Sequence, residues 1–193
     1  MQRAARYLSI EMEQIKRIMI VGQPGSGKST LARKLGDLLG LPVVHIDTIH
    51  WEAGWIERSD SEKDRMCSDV HARDSWIFEG GRSTTWPERL QRADILIWLD
   101  IPLPVRAWRV FWRTIRYHGK TRPDLPDGCP EQFNLDFAKW IWNTRNTGRA
   151  RMLNLFETAP SDKQKYKLTN KRQVERLIAG FHERVQNDDT LTS

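Results

Sequence analysis

The stretch GQPGSGKST, residues 22–30, constrains this chain more than any other feature. It fits the pattern G-x-x-x-x-G-K-[ST], follows the apolar run RIMIVG and precedes a helical pattern of apolar residues. In that context the backbone N–H groups of the loop cradle phosphates, and the following helix adds the positive end of its dipole. Lys28 would reach the β- and γ-phosphates, and the Ser29 hydroxyl would take one Mg²⁺ position. This glycine-rich loop therefore predicts binding of a nucleoside triphosphate through Gly22, Pro24, Gly25, Ser26, Gly27, Lys28, Ser29 and Thr30.

Five short apolar segments alternate with helical patterns, and we predict each of them as a strand: RIMIVG, PVVHID, SWIFEG, DILIWLD and KYKLT. Strands that alternate with helices form parallel sheets through right-handed crossovers. The predicted fold class is α/β, with three α/β/α layers around a five-stranded parallel sheet. Because ligands of such sheets gather at the carboxyl ends of the strands, the residues of interest are 22–30, Asp47, 79–82 and Asp100.

The length of 193 residues predicts a single domain over 16–185, with an N-terminal extension at 1–15 and a flexible tail at 186–193. No apolar run approaches the roughly 20 residues of a membrane span. The charged N-terminal stretch lacks the apolar core of a signal peptide. Cys67 and Cys129 lie far apart without a metal-type spacing. We therefore expect a reduced, cytoplasmic protein that does not bind membranes.

Candidate acceptor residues follow the second and third predicted strands. Asp47 is placed to orient or deprotonate an acceptor hydroxyl, or to hold Mg²⁺ through water; the alternative is a capping role. At 79–82, Glu79 is followed by Gly80 and Gly81, which would let an acceptor approach the backbone. Arg82 would meet acceptor charge, or else pair with Glu88 on the surface. Trp51 and Trp55 would stack on an acceptor or pack their own loop.

Arginines recur at three- and four-residue steps after the fourth predicted strand. Arg106, Arg109, Arg113 and Arg116 form one basic stripe, opposite Trp108, Phe111, Trp112 and Ile115. The alternative is a solvated face. The net charge of +6 likewise favours anionic partners, although many soluble proteins carry such a charge. Next comes KTRPDLPDGCPEQ, a proline-rich loop, and a region of one or two helices over 132–158.

Residues 16–180 resemble the small P-loop kinases of the adenylate kinase and shikimate kinase type. The closest resemblance is to the bacterial "topology modulation protein" group. It is carried by GQPGSGKSTLARKLGDLLGLPVVHIDTIHW, WIFEGGRS, ADILIWLDIPLPVRAWRVFWR, TRPDLPDGCPEQFNLDFAKWIW and LTNKRQVERLI. With this resemblance we predict the sheet order 2-3-1-4-5 and a short lid insert near 118–131.

The resemblance also implies roles for individual residues. Arg109 would pack on the adenine and Arg113 would meet the ATP phosphates. Arg122 would act from the lid on the transferring phosphate, and Arg145 and Arg149 lie where related kinases keep catalytic arginines; the alternative is that these are rim charges. Adenylate kinases carry Asp-Gly followed by Arg where this chain has Glu79, and Arg82 stands one position nearer, so this motif is matched only loosely.

The leading interpretation is a phosphotransferase that moves the γ-phosphoryl group of Mg-ATP to a nucleotide, a nucleoside or a small hydroxylated metabolite. Its predicted catalytic residues are Lys28, Asp47, Arg113, Arg122 and Arg145. One alternative is a nucleic-acid-associated ATP-binding regulator, supported by the +6 charge and the arginine stripe but without a DNA-reading motif. The other is an ATPase whose rate does not depend on an acceptor.

Overall fold

The computed structural model describes residues 15–191, with side chains through residue 187. Seven strands are β1 (Arg17–Gly22), β2 (Val43–His45), β3 (Trp51–Glu52), β4 (Ile56–Glu57), β5 (Trp76–Glu79), β6 (Ile95–Leu99) and β7 (Gln164–Leu168). Seven α-helices are α1 (Lys28–Leu39), α2 (Ile46–His50), α3 (Asp60–Ala72), α4 (Trp86–Arg92), α5 (Leu103–Arg116), α6 (Leu135–Thr158) and α7 (Lys171–Leu191).

The main sheet has five parallel strands in the order β2-β5-β1-β6-β7. In chain numbering this differs from the predicted order 2-3-1-4-5, because β3 and β4 form a separate antiparallel hairpin. When the hairpin is set aside, the spatial order of the sheet strands is second, third, first, fourth, fifth. The hairpin and the short helix α2 replace the loop that we predicted there. Because the strands are parallel, the carboxyl ends of β1, β2, β5 and β6 lie at the same edge of the sheet.

Helices cover both faces of this sheet, as predicted for three layers. On one face, side chains of β1 and β6 such as Ile18, Ile20 and Ile97 pack with Leu31 and Leu35 of α1 and with Phe181 of α7. On the other face lie α2, α3, α4 and α6, whose core includes Cys67, Leu90, Met152 and Leu155. The central strands are buried on both sides, which explains their continuous apolar runs.

The helical region after the proline-rich loop is one helix, α6. Helical backbone continues to Leu191 through most of the range predicted as a tail. The predicted N-terminal extension lies outside the described residues except for Ile15, which is buried in the core. Within residues 15–191, no helix combines the length and apolar character that crossing a membrane requires.

Candidate active site

The glycine-rich loop connects β1 to α1 and has a shape that only glycine allows at two points. Gly25 and Gly27 have positive φ angles of 77° and 97°. A Cβ atom on Gly25 would lie 2.4 Å from the carbonyl oxygen of Arg106, which is backbone and cannot move aside. Lys28 begins α1 directly after Gly27, so the free N–H groups of the helix end face the loop. The observed geometry is that of an anion cradle.

Two helices hold the loop from behind. On α5, the Arg106 guanidinium donates to the carbonyls of Ile101 (3.0 Å) and Pro24 (3.3 Å), and Arg109 Nη1 donates to the carbonyl of Ser26 (3.0 Å). On α6, the carbonyl of Arg145 accepts a 2.9 Å hydrogen bond from the Gln23 amide. These contacts hold the cradle in one conformation. The arginine stripe is therefore only partly a solvated face, because Arg106 is buried and Arg109 binds the loop, whereas Arg116 is exposed.

Glu79, at the end of β5, is the buried carboxylate nearest to the cradle. Its Oε1 accepts a hydrogen bond from the Ser29 hydroxyl (3.0 Å) and lies 2.8 Å from Nδ1 of His45, at the end of β2. Burial alone would raise the pKa of Glu79. The hydrogen bonds from His45 and Ser29 and the charge of Lys28 outweigh it, and the pKa lies below its ordinary value. Glu79 is therefore ionised at neutral pH, and His45 donates its Nδ1–H.

Sequence reasoning missed His45. Its signal was its place two residues before Asp47, at the carboxyl end of a strand that neighbours β5. A histidine at a strand end has no predictable partner until the strand order is known.

Asp47 lies in the first turn of α2 rather than at the end of a strand. Its pKa is raised above the ordinary value, first by burial and then by the negative charge of Glu79. The charges of Lys28 and Arg122 act in the opposite direction. The structure thus brings Asp47, Glu79, Lys28 and Arg122 into one electrostatic neighbourhood, although they are far apart in sequence.

The segment 117–134 joins α5 to α6, and its middle carries a buried ionic cluster. Arg122 lies 2.7 Å from Asp124 and 2.6 Å from Glu131. Glu131 also lies 3.4 Å from Arg113 of α5, and Asp124 lies 3.6 Å from Arg33 of α1. Burial, followed by the charge of Arg122, lowers the pKa of Arg113. The segment is therefore connected to α1 and α5 by ion pairs.

The same segment also contacts the β3–β4 hairpin. The backbone N–H of Gly54 donates to the carbonyl of Gly128 (2.9 Å), and the Trp55 indole donates to the carbonyl of Pro130 (3.0 Å). Trp51 meets Trp55 edge to face, with ring centroids 5.5 Å apart. Trp55 thus packs between the hairpin and the segment, whereas Trp51 stays half-buried.

The residues of the 79–82 motif have different surroundings in the structure. A Cβ atom on Gly80 would overlap the side chain of Ile46, so this glycine lets α2 pack closely against the end of β5. That it also admits an acceptor stays a prediction. Gly81 has no heavy atom within 4 Å of such a Cβ. Arg82 pairs with Asp64 (2.6 Å) and Asp60 (3.2 Å) and not with Glu88, which contradicts the predicted surface pairing.

The two arginines of α6 are not brought to the cradle by their side chains. The Arg145 guanidinium lies 4.0 Å from the ring centroid of Trp142, and it donates to the carbonyl of that residue. The guanidinium of Arg149 makes two 2.8 Å hydrogen bonds to Asp100, at the carboxyl end of β6. Arg149 therefore joins α6 to the sheet. The side-chain role predicted for Arg145 has no support in this conformation.

Oxygen ligands at the cradle fit a magnesium ion. Mg²⁺ prefers carboxylate and hydroxyl oxygens and keeps several waters. The Ser29 hydroxyl and the ionised Glu79 carboxylate lie within hydrogen-bond distance of each other beside Lys28, which is a suitable donor set.

Comparison with protein families gives a match over residues 18–116 to a family described as "AAA domain". The match begins in β1 and ends with α5, so it contains the cradle, His45, Asp47 and Glu79. The chain belongs to the AAA domain family. It has the family's phosphate loop within a fold in which the adjacent strand ends supply carboxylates.

Two of the individual relatives are named as kinases. The shikimate kinase of Acinetobacter baylyi is 29% identical over 149 residues, covering 68% of this chain and 78% of that protein. The cytidylate kinase of Pyrobaculum aerophilum is 29% identical over 138 residues, covering 64% and 72%. A match to threonine synthase-like 1 of Mus musculus is 31% identical over 105 residues, or 46% of this chain, and spans 14% of that longer protein.

A solved structure of shikimate kinase from Acinetobacter baumannii in complex with shikimate shares the fold. Its TM-score is 0.53 at 18% identity, and the alignment covers 92% of this chain and 96% of that one. Together with the relatives, this fold makes the chain an ATP-dependent kinase.

Proposed function

We propose that this AAA domain family kinase transfers the γ-phosphoryl group of Mg-ATP to a hydroxylated small molecule. The observation that carries this proposal is the convergence of Lys28, Asp47 and Glu79 at the carboxyl edge of one sheet, around a cradle held by α5 and α6. Phosphoryl transfer requires positioning and charge neutralisation more than covalent chemistry. This edge contains a phosphate cradle, one lysine and two carboxylates with different pKa shifts.

On the donor side, the loop N–H groups and Lys28 would bind the ATP phosphates, and Ser29 and Glu79 would hold Mg²⁺ directly or through water. The ion supplies charge neutralisation for the phosphates when it is bound. Because His45 and Ser29 both donate to Glu79 Oε1, the second oxygen of this carboxylate is free of both bonds. Arg109 contacts the loop, and Arg113 lies one turn further along α5, paired with Glu131; the resemblance assigns the two to adenine and phosphates.

On the acceptor side, we propose Asp47 as the group that orients and deprotonates the acceptor hydroxyl. Burial and the negative charge of Glu79 raise the pKa of Asp47, which makes its carboxylate a stronger base toward a hydroxyl proton. Trp51, Gly81 and Arg82 form the proposed rim of this acceptor region. The names of the two kinase relatives support either a hydroxylated metabolite or a nucleotide as acceptor, so both classes belong in the test.

We propose that the segment 118–131 is a lid. Its contacts with α1, α5 and the hairpin place Arg122 in the neighbourhood of Asp47. An arginine there would stabilise charge on the transferring phosphoryl group once it exchanges Asp124 and Glu131 for phosphate oxygens.

Three further sequence predictions stay proposals. They are a single domain over residues 16–185, a cytoplasmic location and the resemblance to the topology modulation protein group.

The nucleic-acid alternative loses its main argument. The arginine stripe of α5 was its proposed contact, but three of the four arginines, Arg106, Arg109 and Arg113, bond to the loop and to Glu131, and Arg116 is the exposed one. An acceptor-independent ATPase stays as the competing outcome of the test below.

The test is ADP release from Mg-ATP against a panel of nucleoside monophosphates, nucleosides and small hydroxylated metabolites. We expect at least one acceptor to raise the rate well above background hydrolysis. Lys28→Ala should abolish that stimulation, and Lys34→Ala, an exposed lysine of the same helix, should retain it. A rate that no acceptor changes would refute the phosphotransferase and favour the ATPase.

A further inference from the structure

Helix α5 presents its apolar side to solvent. Five residues, which we call the α5 face, are between 42% and 60% exposed: Val105, Trp108, Phe111, Trp112 and Ile115. On the opposite side of the helix, Arg106 is only 3% exposed. An amphipathic helix on a globular protein normally has the reverse orientation, with its apolar side against the core. The α5 face is therefore an apolar surface without a partner in the described part of the chain.

The aromatic rings of the α5 face already contact one another. Trp108 stacks on Phe111 with centroids 6.1 Å apart and meets Trp112 edge to face at 5.4 Å. Phe111 and Trp112 are also edge to face, at 6.0 Å. A preassembled cluster of large rings loses little side-chain entropy on binding, and tryptophan is enriched among residues that dominate protein interfaces.

The apolar surface continues beyond α5. Glu131 accepts a hydrogen bond from Thr114, so the chain returns to the end of α5 shortly before α6 begins. Phe133 and Leu135 follow and are 64% and 62% exposed. Of the ten large apolar residues exposed in the described structure, nine lie between 105 and 142, and the exception is Ile56. Contiguous exposed apolar side chains, such as those of the α5 face, mark an interaction site rather than ordinary surface composition.

The charge pattern identifies the class of partner. Arg106, Arg109 and Arg113 all bond inward, and Arg116, the last residue of α5, is the exposed arginine of the stripe. The charge of this surface therefore lies at the end of the helix, and the α5 face itself consists of apolar side chains. Nucleic acid or an anionic membrane would require basic side chains directed outward. A charge-depleted aromatic centre with a polar rim is instead typical of the buried centre of a protein–protein interface.

The exposed apolar area of the α5 face indicates which protein is its partner. Half-exposed side chains of about 150–250 Å² each give the five residues of the α5 face on the order of 450 Å². Phe133 and Leu135 bring the total to on the order of 700 Å², close to the roughly 800 Å² per partner of a stable interface. A two-fold interface needs only one such surface, since each subunit contributes the same patch. We propose that the α5 face is the interface of a homodimer, in which it packs against the α5 face of a second copy of this chain.

The experiment is sedimentation velocity of the full chain over a wide concentration range, without nucleotide. The wild type is expected to dimerise. The double variant Trp108→Ser/Trp112→Ser should raise the dissociation constant by about 100-fold or more, because both rings lie at the centre of the face. Ile115→Arg, at the end of the face, should act in the same direction. The matched control is Ile56→Ser, which removes an equally exposed apolar residue elsewhere and should leave the dimer unchanged.

The far-ultraviolet circular dichroism and the unfolding transition of each variant show whether it is folded. A wild type that stays monomeric at every concentration overturns the proposal, as does a dimer that persists in both α5 variants. A monomer that pellets with phosphatidylglycerol vesicles also overturns it, because the occupant would then be a membrane. The readout uses no substrate, so its failure and that of the phosphotransferase assignment are separable.

Discussion

At the residue scale, the proposed chemistry depends on the different environments of two neighbouring carboxylates, Asp47 and Glu79. Glu79 is buried, yet hydrogen bonds from His45 and Ser29 keep its pKa low. For Asp47, the positive charges of Lys28 and Arg122 do not outweigh the effect of burial and of the Glu79 charge, so its pKa is raised. Environments that move two carboxylates apart in this way assign them different tasks. An ionised Glu79 suits a cation, and a more basic Asp47 suits a hydroxyl proton.

His45 should act on the metal through Glu79. We predict that His45→Leu, which removes the Nδ1–H donor, weakens Mg²⁺-dependent ADP binding by about tenfold and leaves metal-free ADP binding unchanged. His45→Asn keeps an N–H donor near the same position and should recover most of the affinity. Calorimetric titration of ADP with and without Mg²⁺ measures both. Equal losses in His45→Leu and His45→Asn would show that the histidine ring only fills space.

We expect Asp47 to reduce the free energy of unfolding at neutral pH, the pH at which we propose that it acts on the acceptor hydroxyl. A raised pKa means that the protonated form favours folding; this stabilisation is fully present below the ordinary value of 3.8 and is lost as pH rises through the folded pKa. We predict that Asp47→Asn increases the free energy of unfolding at neutral pH by about 1 kcal/mol, while turnover falls much more than ATP affinity.

Denaturant unfolding across pH checks this prediction. The advantage of Asp47→Asn over the wild type should shrink as the solution is acidified, because the wild-type carboxyl is then neutral as well. Asp37→Asn, an exposed residue of α1, is the control and should show no such pH dependence. An Asp47→Asn protein with wild-type turnover would remove Asp47 from the site.

At the element scale, α5 has two different faces with two different tasks. Its arginine side holds the glycine-rich loop through backbone carbonyls, and its aromatic side faces solvent. The backbone of α5 also touches the loop, since the Arg106 carbonyl lies where a Cβ atom on Gly25 would project. The conformation of the cradle therefore depends on the position of α5 as well as on the loop's own sequence.

Gly25→Ala should break this contact. We predict that it lowers ATP affinity by at least about tenfold, because the new methyl group forces the loop away from α5 and misplaces the N–H groups. Gly40→Ala is the matched control: Gly40 also has positive φ, at 65°, but no heavy atom lies within 4 Å of its Cβ position. It should cost about 1 kcal/mol of stability and no ATP affinity. Equal ATP affinities in the two variants, measured by nucleotide titration, would contradict the prediction.

At the scale of the whole molecule, the parallel sheet brings the residues of the candidate site together. The strand order β2-β5-β1-β6-β7 places the ends of β2 and β5 on one side of β1, so His45, Asp47 and Glu79 lie beside the loop. The segment between α5 and α6 and the hairpin meet above this edge. A ligand bound there contacts elements from both halves of the chain and should stabilise the entire fold.

We predict that Mg-ADP at about 100 times its dissociation constant adds about 2.7 kcal/mol, which raises the melting temperature by roughly 5–10 °C for a domain of this size. Lys28→Ala should show little of this shift, and Lys34→Ala should show all of it. Differential scanning calorimetry gives the comparison. A shift in Lys28→Ala as large as in the wild type would place the nucleotide away from the predicted loop.

Local patterns were sufficient for much of this protein. The glycine-rich loop, the five sheet strands and the α/β layers could be predicted, because apolar runs and glycine positions act within a few residues. Asp47 and Glu79 could be proposed as well, since the carboxyl ends of parallel strands meet at one edge. The hairpin at 51–57 was not predicted, because its strands are two residues long and pair only with each other.

The tertiary structure alone decided which side chains pair across long sequence separations. His45 with Glu79, Arg82 with Asp64 and Arg149 with Asp100 are pairs that no spacing rule indicates. The orientation of α5 belongs to the same class: periodicity showed an arginine side and an aromatic side, but periodicity does not say which side faces the core. The sequence by itself predicted that phosphates bind and which loop would hold them. The fold decided which carboxylate has a lowered pKa and which a raised one, which arginines are already engaged and which apolar face stays exposed, because these depend on neighbours that only folding brings together.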